Sequence, residues 1–351
     1  MKKAIVAMSG GVDSSVAAKI LIDSGFDCMG ATMQLNESGD KYAAEDAKSV
    51  ALKLNIPFTL LDFTKEFTKE VIDRFIESYE LGDTPNPCID CNKYIKWDLL
   101  IKYMKDNGFD YIATGHYAQI EFDEESGLYK LKKGLDQSKD QSYVLYNMTQ
   151  DILSHTLLPL GNLSKAEARD IASKNGFINA EKKDSQDICF IPDGDYARFI
   201  EEYTGKTYEK GNFVYKDGTI LGTHNGIIRY TIGQRKGLGL ALKAPAYVCR
   251  KCMETNSVIL GENDDLFTKT LIASEFNWIS GISPTSELCV KAKTRYKHKE
   301  QLAIANVLPN GDVKIVFDEP QRAITTGQSV VLYDGDTVLG GGKITQVECN
   351  V

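Results

Sequence analysis

No stretch of this 351-residue sequence approaches the roughly 18 continuous apolar residues of a membrane-spanning helix. The N-terminal segment reads as a buried strand rather than a signal peptide: the apolar run after Met1-Lys2-Lys3 is short and gives way at once to a glycine-rich polar loop. These absences predict a cytoplasmic protein with no membrane partner. There is no excess of positive charge. The 41 Lys and Arg stand against 49 Asp and Glu, a net charge of −8, so no global field draws the chain to nucleic acid. Any such contact must come from a local basic patch. Repeats and low-complexity tracts are also missing.

What is present has ordinary globular proportions, 42% hydrophobic and 26% charged, at a length that suggests two or three domains. Residues 1–204 alternate strand-like and helix-like segments. Lys3–Met8 reads as a strand, Val16–Ser24 as a helix ending at Gly25, Ala43–Leu54 as an amphipathic helix, and Phe58–Phe63 and Tyr111–Thr114 as strands. That rhythm predicts an α/β domain with a parallel sheet between helical layers. Ser164-Lys165-Ala166-Glu167 is a capping box opening a helix that stops at Gly176, and Asp195–Tyr203 is one more helix. Residues 205–270 turn glycine-dense and β-like, predicting a small central domain. In 271–351, alternating runs such as Val313–Phe317 and Ser329–Tyr333 lie between Asn310-Gly311 and Asp334-Gly335-Asp336 turns, the pattern of a β-barrel.

Chemistry concentrates in a few motifs. Ser9-Gly10-Gly11-Val12-Asp13-Ser14-Ser15 lies between the first strand and the first helix. Glycines let the backbone approach a phosphate, while hydroxyls and the helix N-terminus supply donors. A Walker A loop is excluded, because its lysine-bearing ending is missing. The bland alternative, a glycine turn with a Ser/Asp cap, leaves the run of seven residues unexplained. In Thr84-Pro85-Asn86-Pro87-Cys88-Ile89-Asp90-Cys91-Asn92-Lys93, two prolines and an asparagine predict a stiff loop that presents Cys88 and Cys91. Ala113–Ala118, Lys139–Tyr143, Asp184–Phe190 and Gly233–Gly239 follow.

The loop resembles that of the ATP pyrophosphatases (PP-loop enzymes), which split ATP between the α and β phosphates. Over nearly the whole chain, the order of motifs is similar to that of the tRNA-specific 2-thiouridylases. That resemblance implies a PP-loop domain, a small central domain and a C-terminal barrel. It also implies conversion of a wobble uridine of tRNA to 2-thiouridine, with ATP consumed, Mg2+ as cofactor and sulfur taken from a donor protein or a sulfide source. Residue by residue, it implies ATP contacts at Met8, Ser9, Gly10, Gly11, Val12, Asp13, Ser14, Ser15, Met33 and Gly115. Cys91 matches the nucleophilic cysteine and Cys189 the persulfide carrier. Asn86, Pro87, Cys88, His116, Lys139, Asp140, Gln141, Arg295, Tyr296 and Gln328 match positions that touch tRNA or the target base. The chemistry is coherent with these residue types. A uridine C2 carbonyl is a poor electrophile until adenylated, and a thiolate or persulfide is the side-chain form in which sulfur can attack.

Cys88 departs from the family pattern, which has aspartate there. The result is C-x-x-C. With Cys189, these are three thiolates that either hold a [4Fe-4S] cluster with one open iron site or act as free thiols; the sequence leaves both open. Lys291, Lys293, Arg295, Lys297 and Lys299 recur at every second position, which on a strand places five cations on one face for RNA phosphates. Cys249 and Cys252 lie too far from Cys88 and Cys91 for zinc-ribbon spacing. Cys28, Cys289 and Cys349 read as buried small side chains, and Trp97 and Trp278 as core. A PP-loop amide-forming synthetase would not account for Cys91 and Cys189. A non-catalytic metal or redox protein would not account for Ser9–Ser15.

Overall fold

The computed structural model describes residues 1–36, 41–182 and 188–348. Strand β1 (Lys3–Ala7) is buried on both faces, with Ala4 and Val6 packed into one apolar cluster and Ile5 and Ala7 into another. A strand apolar on both faces belongs between two helical layers. It is followed by β2 (Asp27–Gln34), β3 (Phe58–Asp62), β4 (Tyr111–Ala113), a hairpin of β5 (Ala118–Asp123) and β6 (Leu128–Lys133), and β7 (Thr156–Leu157). Five of these form a parallel sheet in the order β3-β2-β1-β4-β7. The strand order reverses between β1 and β4, and ligands of open α/β sheets bind at the carboxyl ends of the strands flanking such a point.

Helix α1 (Val12–Asp23) starts four residues earlier than the periodicity suggests, directly from the glycine loop with Gly11 as its N-cap. The capping box at Ser164 forms as expected, with the Ser164 hydroxyl accepting from the Glu167 amide and the Glu167 carboxylate accepting from the Ser164 amide. Segments 64–80 and 87–106 are helical throughout, and each contains a π-helical stretch: Thr68–Asp73 in the first and Cys91–Leu99 in the second.

The central sheet comprises β8 (Gly211–Tyr215), β9 (Ile220–His224), β10 (Tyr247–Cys252) and β11 (Ser257–Gly261), ordered β10-β11-β8-β9. Six further strands follow: β12 (Phe267–Trp278), β13 (Leu288–Lys293), β14 (Gln301–Val307), β15 (Val313–Arg322), β16 (Ser329–Asp334) and β17 (Thr337–Val347). They close into a barrel through the pairing of β12 with β17, around Leu271, Val290, Ile315, Phe317 and Ile344.

The β5–β6 hairpin is the element that ties the first domain to the barrel. Thr337 and Val338 of β17 pair with Lys132 and Leu131 of β6, so a piece of the first 204 residues extends the barrel sheet. One apolar cluster runs from Ile5 through Trp97 and Tyr143 to Val331, Tyr333 and Val338. Buried hydrogen bonds from the Tyr143 hydroxyl to the Ser329 carbonyl (2.8 Å) and between the Tyr146 and Ser329 hydroxyls (3.0 Å) cross the same boundary.

Two expectations are corrected here. The five-cation stripe does not form, because β13 ends at Lys293 and the chain then bends through residues 294–300. Lys291, Lys297 and Lys299 are exposed, but Lys293 and Arg295 are half-buried. Cys289 is also exposed on the outside of the barrel rather than buried, because the inward positions of β13 fall to Val290 and Ala292. Cys28 and Trp97 are buried as expected, whereas Trp278 is only partly buried against the barrel core. Cys349 lies outside the described residues. No helix among the described residues is long and apolar enough to cross a membrane.

Candidate active site

The loop after β1 is shaped by contacts that only small or hydroxyl side chains can make. Gly10 has φ +72°, and a Cβ there would collide with the Ala43 carbonyl. The Ser14 hydroxyl accepts from the Ser9 amide (3.2 Å) and donates to the Gly11 carbonyl (3.2 Å), and the Ser15 hydroxyl donates to the same carbonyl (3.0 Å). Asn179, buried at 2% exposure, fastens the loop from behind through Nδ2 to the Gly10 carbonyl and the Ser15 hydroxyl. The loop thus opens onto the N-terminus of α1, where free backbone donors favour an anion. Met8 and Val12 are buried beneath it, and the Met8 carbonyl accepts from Thr32 at 2.6 Å, beside Met33 on β2. From β4, Gly115 packs directly on the loop: a Cβ there would lie 2.7 Å from the Ser14 nitrogen.

Asp13 is held by residues that no local motif announces. Lys165 Nζ lies 2.8 Å from both of its carboxylate oxygens, and the Tyr117 hydroxyl donates to Oδ1 at 2.7 Å. Gln141 secures Tyr117 in turn, accepting from its amide at 3.0 Å. Lys165 is 152 residues from Asp13; it follows the capping residue Ser164, and its amide donates to Asp136 Oδ2 at 3.1 Å.

The cysteine loop is equally well braced. Asn86 caps the helix that begins at Pro87, its Oδ1 accepting from the Cys88 amide at 3.2 Å. The barrel grips the same loop from the other side, with the Thr84 amide donating to the Thr326 carbonyl (2.9 Å) and Gln328 Nε2 donating to the Thr84 carbonyl (2.7 Å).

Cys88 and Cys189 are exposed residues and Cys91 is half-buried. They lie within electrostatic reach of one another: a thiolate on Cys88 or Cys189 disfavours one on Cys91, and Cys88 does the same to Cys189. Burial among surrounding protein atoms pushes all three thiols up, Cys91 to about 12. Exposed yet desolvated sulfurs are consistent with the floor of a concave surface. Two influences oppose the rise. The Cys189 sulfur accepts from its own amide and that of Phe190, and the Lys96 ammonium favours the thiolate at all three positions. Phe190 anchors Cys189 by edge-on packing against Phe67 and Phe75. Residues 184–187 of that motif lie outside the described residues.

His116 links the two halves. It follows Gly115, which touches the ATP-type loop, and its Nε2 lies 3.4 Å from Lys96 Nζ. An ammonium only donates, so Nε2 accepts and Nδ1 donates to the Thr114 hydroxyl at 2.7 Å. Burial first, then Lys96, holds this imidazole neutral. From the barrel, Tyr296 has its phenol raised by burial first, and then by the negative charge of nearby Asp140 and Cys88.

Other expected base contacts are turned elsewhere. The Arg295 guanidinium donates to the carbonyls of Ile232 and Ala323 and to the Thr325 hydroxyl. Asp140 accepts from the Gly134 and Ser142 amides, and Lys139 is half-exposed. Asp90 lines a polar cavity with Arg74, Lys93, Glu275 and Lys343, and burial there pushes its carboxyl up to about 6. Among the described residues no three Cys, His, Asp or Glu side chains are gathered to hold a single metal ion.

Lys96 and Lys165 are the functional candidates that the sequence motifs did not single out. Lys96 falls five residues after Cys91, a spacing that on an α-helix points away.

A model of the tRNA methyl transferase HUP domain matches residues 2–193, one of the tRNA methyl transferase PRC-barrel domain residues 197–262, and one of the aminomethyltransferase beta-barrel domain residues 268–344. The tRNA-specific 2-thiouridylase MnmA of Acetivibrio thermocellus is 49% identical over 98% of this chain and 99% of its own length. That of Clostridioides difficile is 50% identical over 98% of each. A solved U34-tRNA thiolase, NcsA from Methanococcus maripaludis with its [4Fe-4S] cluster, covers 57% of this chain and 66% of its own at 16% identity and a TM-score of 0.36, too remote to carry over ligands or roles. Full-length similarity at this level, over all three domains, places the chain in the tRNA-specific 2-thiouridylase family, MnmA.

Proposed function

We infer that the residues assembled here carry out the ATP-dependent thiolation of a tRNA uridine. One observation carries the assignment of roles: the phosphate-type loop is joined through Gly115 and the His116–Lys96 contact to three mutually interacting thiols. Adenylating chemistry and sulfur chemistry therefore share one site. The enzyme is a tRNA sulfurtransferase. Its working units are residues 1–204 for catalysis, 205–270 as a bridging domain and 271–351 as a barrel that braces the cysteine loop.

Ser9–Ser15, Met33 and Gly115 would hold ATP, and Mg2+ would supply the counter-charge for its phosphates. Asp13, here paired with Lys165, is the carboxylate of the loop that would face that ion. The C2 oxygen of the wobble uridine attacks the α-phosphate and pyrophosphate leaves. A donor protein carrying a persulfide has passed its sulfane sulfur to the Cys189 thiolate, the donor cysteine leaving as a thiol. The Cys189 persulfide attacks C2, and AMP departs with the former C2 oxygen. The Cys91 thiolate then attacks the Cys189 sulfur, releasing 2-thiouridine and leaving a Cys91–Cys189 disulfide, which an external dithiol reduces. Tyr296, His116, Asn86, Pro87 and Cys88 border the base, while Lys139, Asp140, Gln141, Arg295 and Gln328 shape the surrounding loops. A tRNA substrate supports a cytoplasmic location for the enzyme.

The test is nucleoside analysis of tRNA after reaction with protein purified without oxygen. Cys91→Ala and Cys189→Ala are expected to form no 2-thiouridine, and wild-type yield from Cys189→Ala would refute the assignment. Iron and sulfide analysis addresses the cluster alternative. Parallel loss of iron and activity in Cys88→Ala, Cys91→Ala and Cys189→Ala would replace the thiol route. Full activity of iron-free Cys88→Asp protein would exclude a required cluster.

A further inference from the structure

The helix carrying Cys91 changes its winding at that residue. From Cys91 to Leu99 its hydrogen bonds run from each residue to the fifth along. In an α-helix, residues five apart sit roughly 140° around the axis from one another. In the wider π turn they stack on one face. That winding turns Lys96 toward the face of Cys91, within electrostatic reach of its sulfur, while Ile95 and Trp97 on either side of it are buried at 0% and 1% exposure. Lys96 has no carboxylate partner among the described residues. Its Nζ rests on His116 Nε2, and His116 is fixed in turn by Thr114 and by its contact with the Trp97 ring, 6.0 Å between centroids. A lysine ammonium held by a neutral imidazole rather than a carboxylate keeps its full charge available to an incoming anion.

We propose that Lys96 is the positioning cation of the sulfur chemistry: the π turn sets its ammonium over the Cys91 face, His116 holds it there, and it stabilises the sulfur anion that must form on these cysteines. Other charges face the same thiols. Asp90 opposes an anion on Cys91 and Cys88, and a thiolate on either neighbouring cysteine opposes a second one. The thiolate directions are those expected from this placement, with Lys96 the cation that favours the anion at Cys88, Cys91 and Cys189 alike. The π winding is then a functional feature of the helix, since an α-helical register would swing Lys96 away from the sulfur.

The inference rests on the thiolation reading, but its test does not use tRNA or ATP. The whole protein is alkylated with iodoacetamide at one near-neutral pH, and labelling of the Cys91 peptide is followed by mass spectrometry. Lys96→Gln keeps an amide donor for His116 and removes only the charge. It is expected to alkylate Cys91 several-fold more slowly, and Lys96→Arg is expected to recover most of the wild-type rate. Wild-type labelling in Lys96→Gln, or no recovery in Lys96→Arg, overturns the proposal. A measurement on the unmutated protein covers the case in which Lys96→Gln does not fold. Iodoacetate, itself an anion, should label Cys91 faster relative to iodoacetamide than it labels free cysteine, and a lower ratio than free cysteine also overturns the proposal. Failure of either arm, with thiolation still lost in Cys91→Ala, would leave the sulfurtransferase reading standing.

Discussion

The Gln328 side-chain amide donates to the Thr84 carbonyl at 2.7 Å across a separation of 244 residues, so the barrel holds the loop that presents the cysteines. Removing this bond leaves a carbonyl without its donor and costs about 1 kcal/mol. Gln328→Ala is expected to lower the melting temperature slightly and 2-thiouridine formation more strongly, while pyrophosphate release is largely retained. Equal losses in both reactions would show that the clasp does not act on the cysteine loop.

The Asp13–Lys165 pair invites a double-mutant test. Lys165 is only 11% exposed, so Asp13→Asn leaves a poorly solvated ammonium without its carboxylate, a loss of about 3 kcal/mol for a buried pair. Lys165→Met added to Asp13→Asn is expected to restore much of that stability and none of the activity. Both proteins should release pyrophosphate at least about 100-fold more slowly than wild type, as expected when groups that position and stabilise transferring phosphates are removed. Near-wild-type release from either variant would show that the pair serves only the fold.

Asp90 gives a pH signature. Burial raises its carboxyl to about 6, so the folded protein favours the protonated form. That contribution is fully present below the ordinary carboxyl value of 3.8 and is lost as the pH rises through 6. Asp90→Asn should therefore be more stable than wild type at pH 7, by roughly 3 kcal/mol, and the gap should close near pH 4. Denaturant titrations at the two pH values would read it, and a gap independent of pH would contradict the burial of this group.

With the cation stripe broken, the cations this face exposes to an RNA are Lys291, Lys297 and Lys299. Changing all three to Glu is expected to weaken tRNA binding and to reduce the slope of log affinity against log salt by up to about three. Arg295→Glu is expected to disrupt the packing of residues 323–325 instead, because its guanidinium donates to Ala323 and Thr325. An unchanged salt slope in the triple variant would assign the phosphates to another surface.

Much of this protein is legible in its sequence, because the informative signals are local. Apolar runs bounded by glycines gave the parallel sheet, Ser164 through Glu167 formed the capping box they spell, and Ser9–Ser15 bends where its glycines allow. The family pattern named Cys91 and Cys189 for the same reason, each lying in a short motif. The tertiary structure alone decided what depends on distant partners or on helix winding. Residues 118–133 join the barrel because β17 offers them an edge, and no local residue pattern encodes that edge. Lys165 meets Asp13 across 152 residues, and Lys96 reaches the face of Cys91 only because the helix runs five residues to a hydrogen bond there. Alternation placed Lys293 and Arg295 on an RNA-facing strand. The chain bends after Lys293, and Arg295 turns inward to backbone carbonyls that it satisfies better than water would once they are buried.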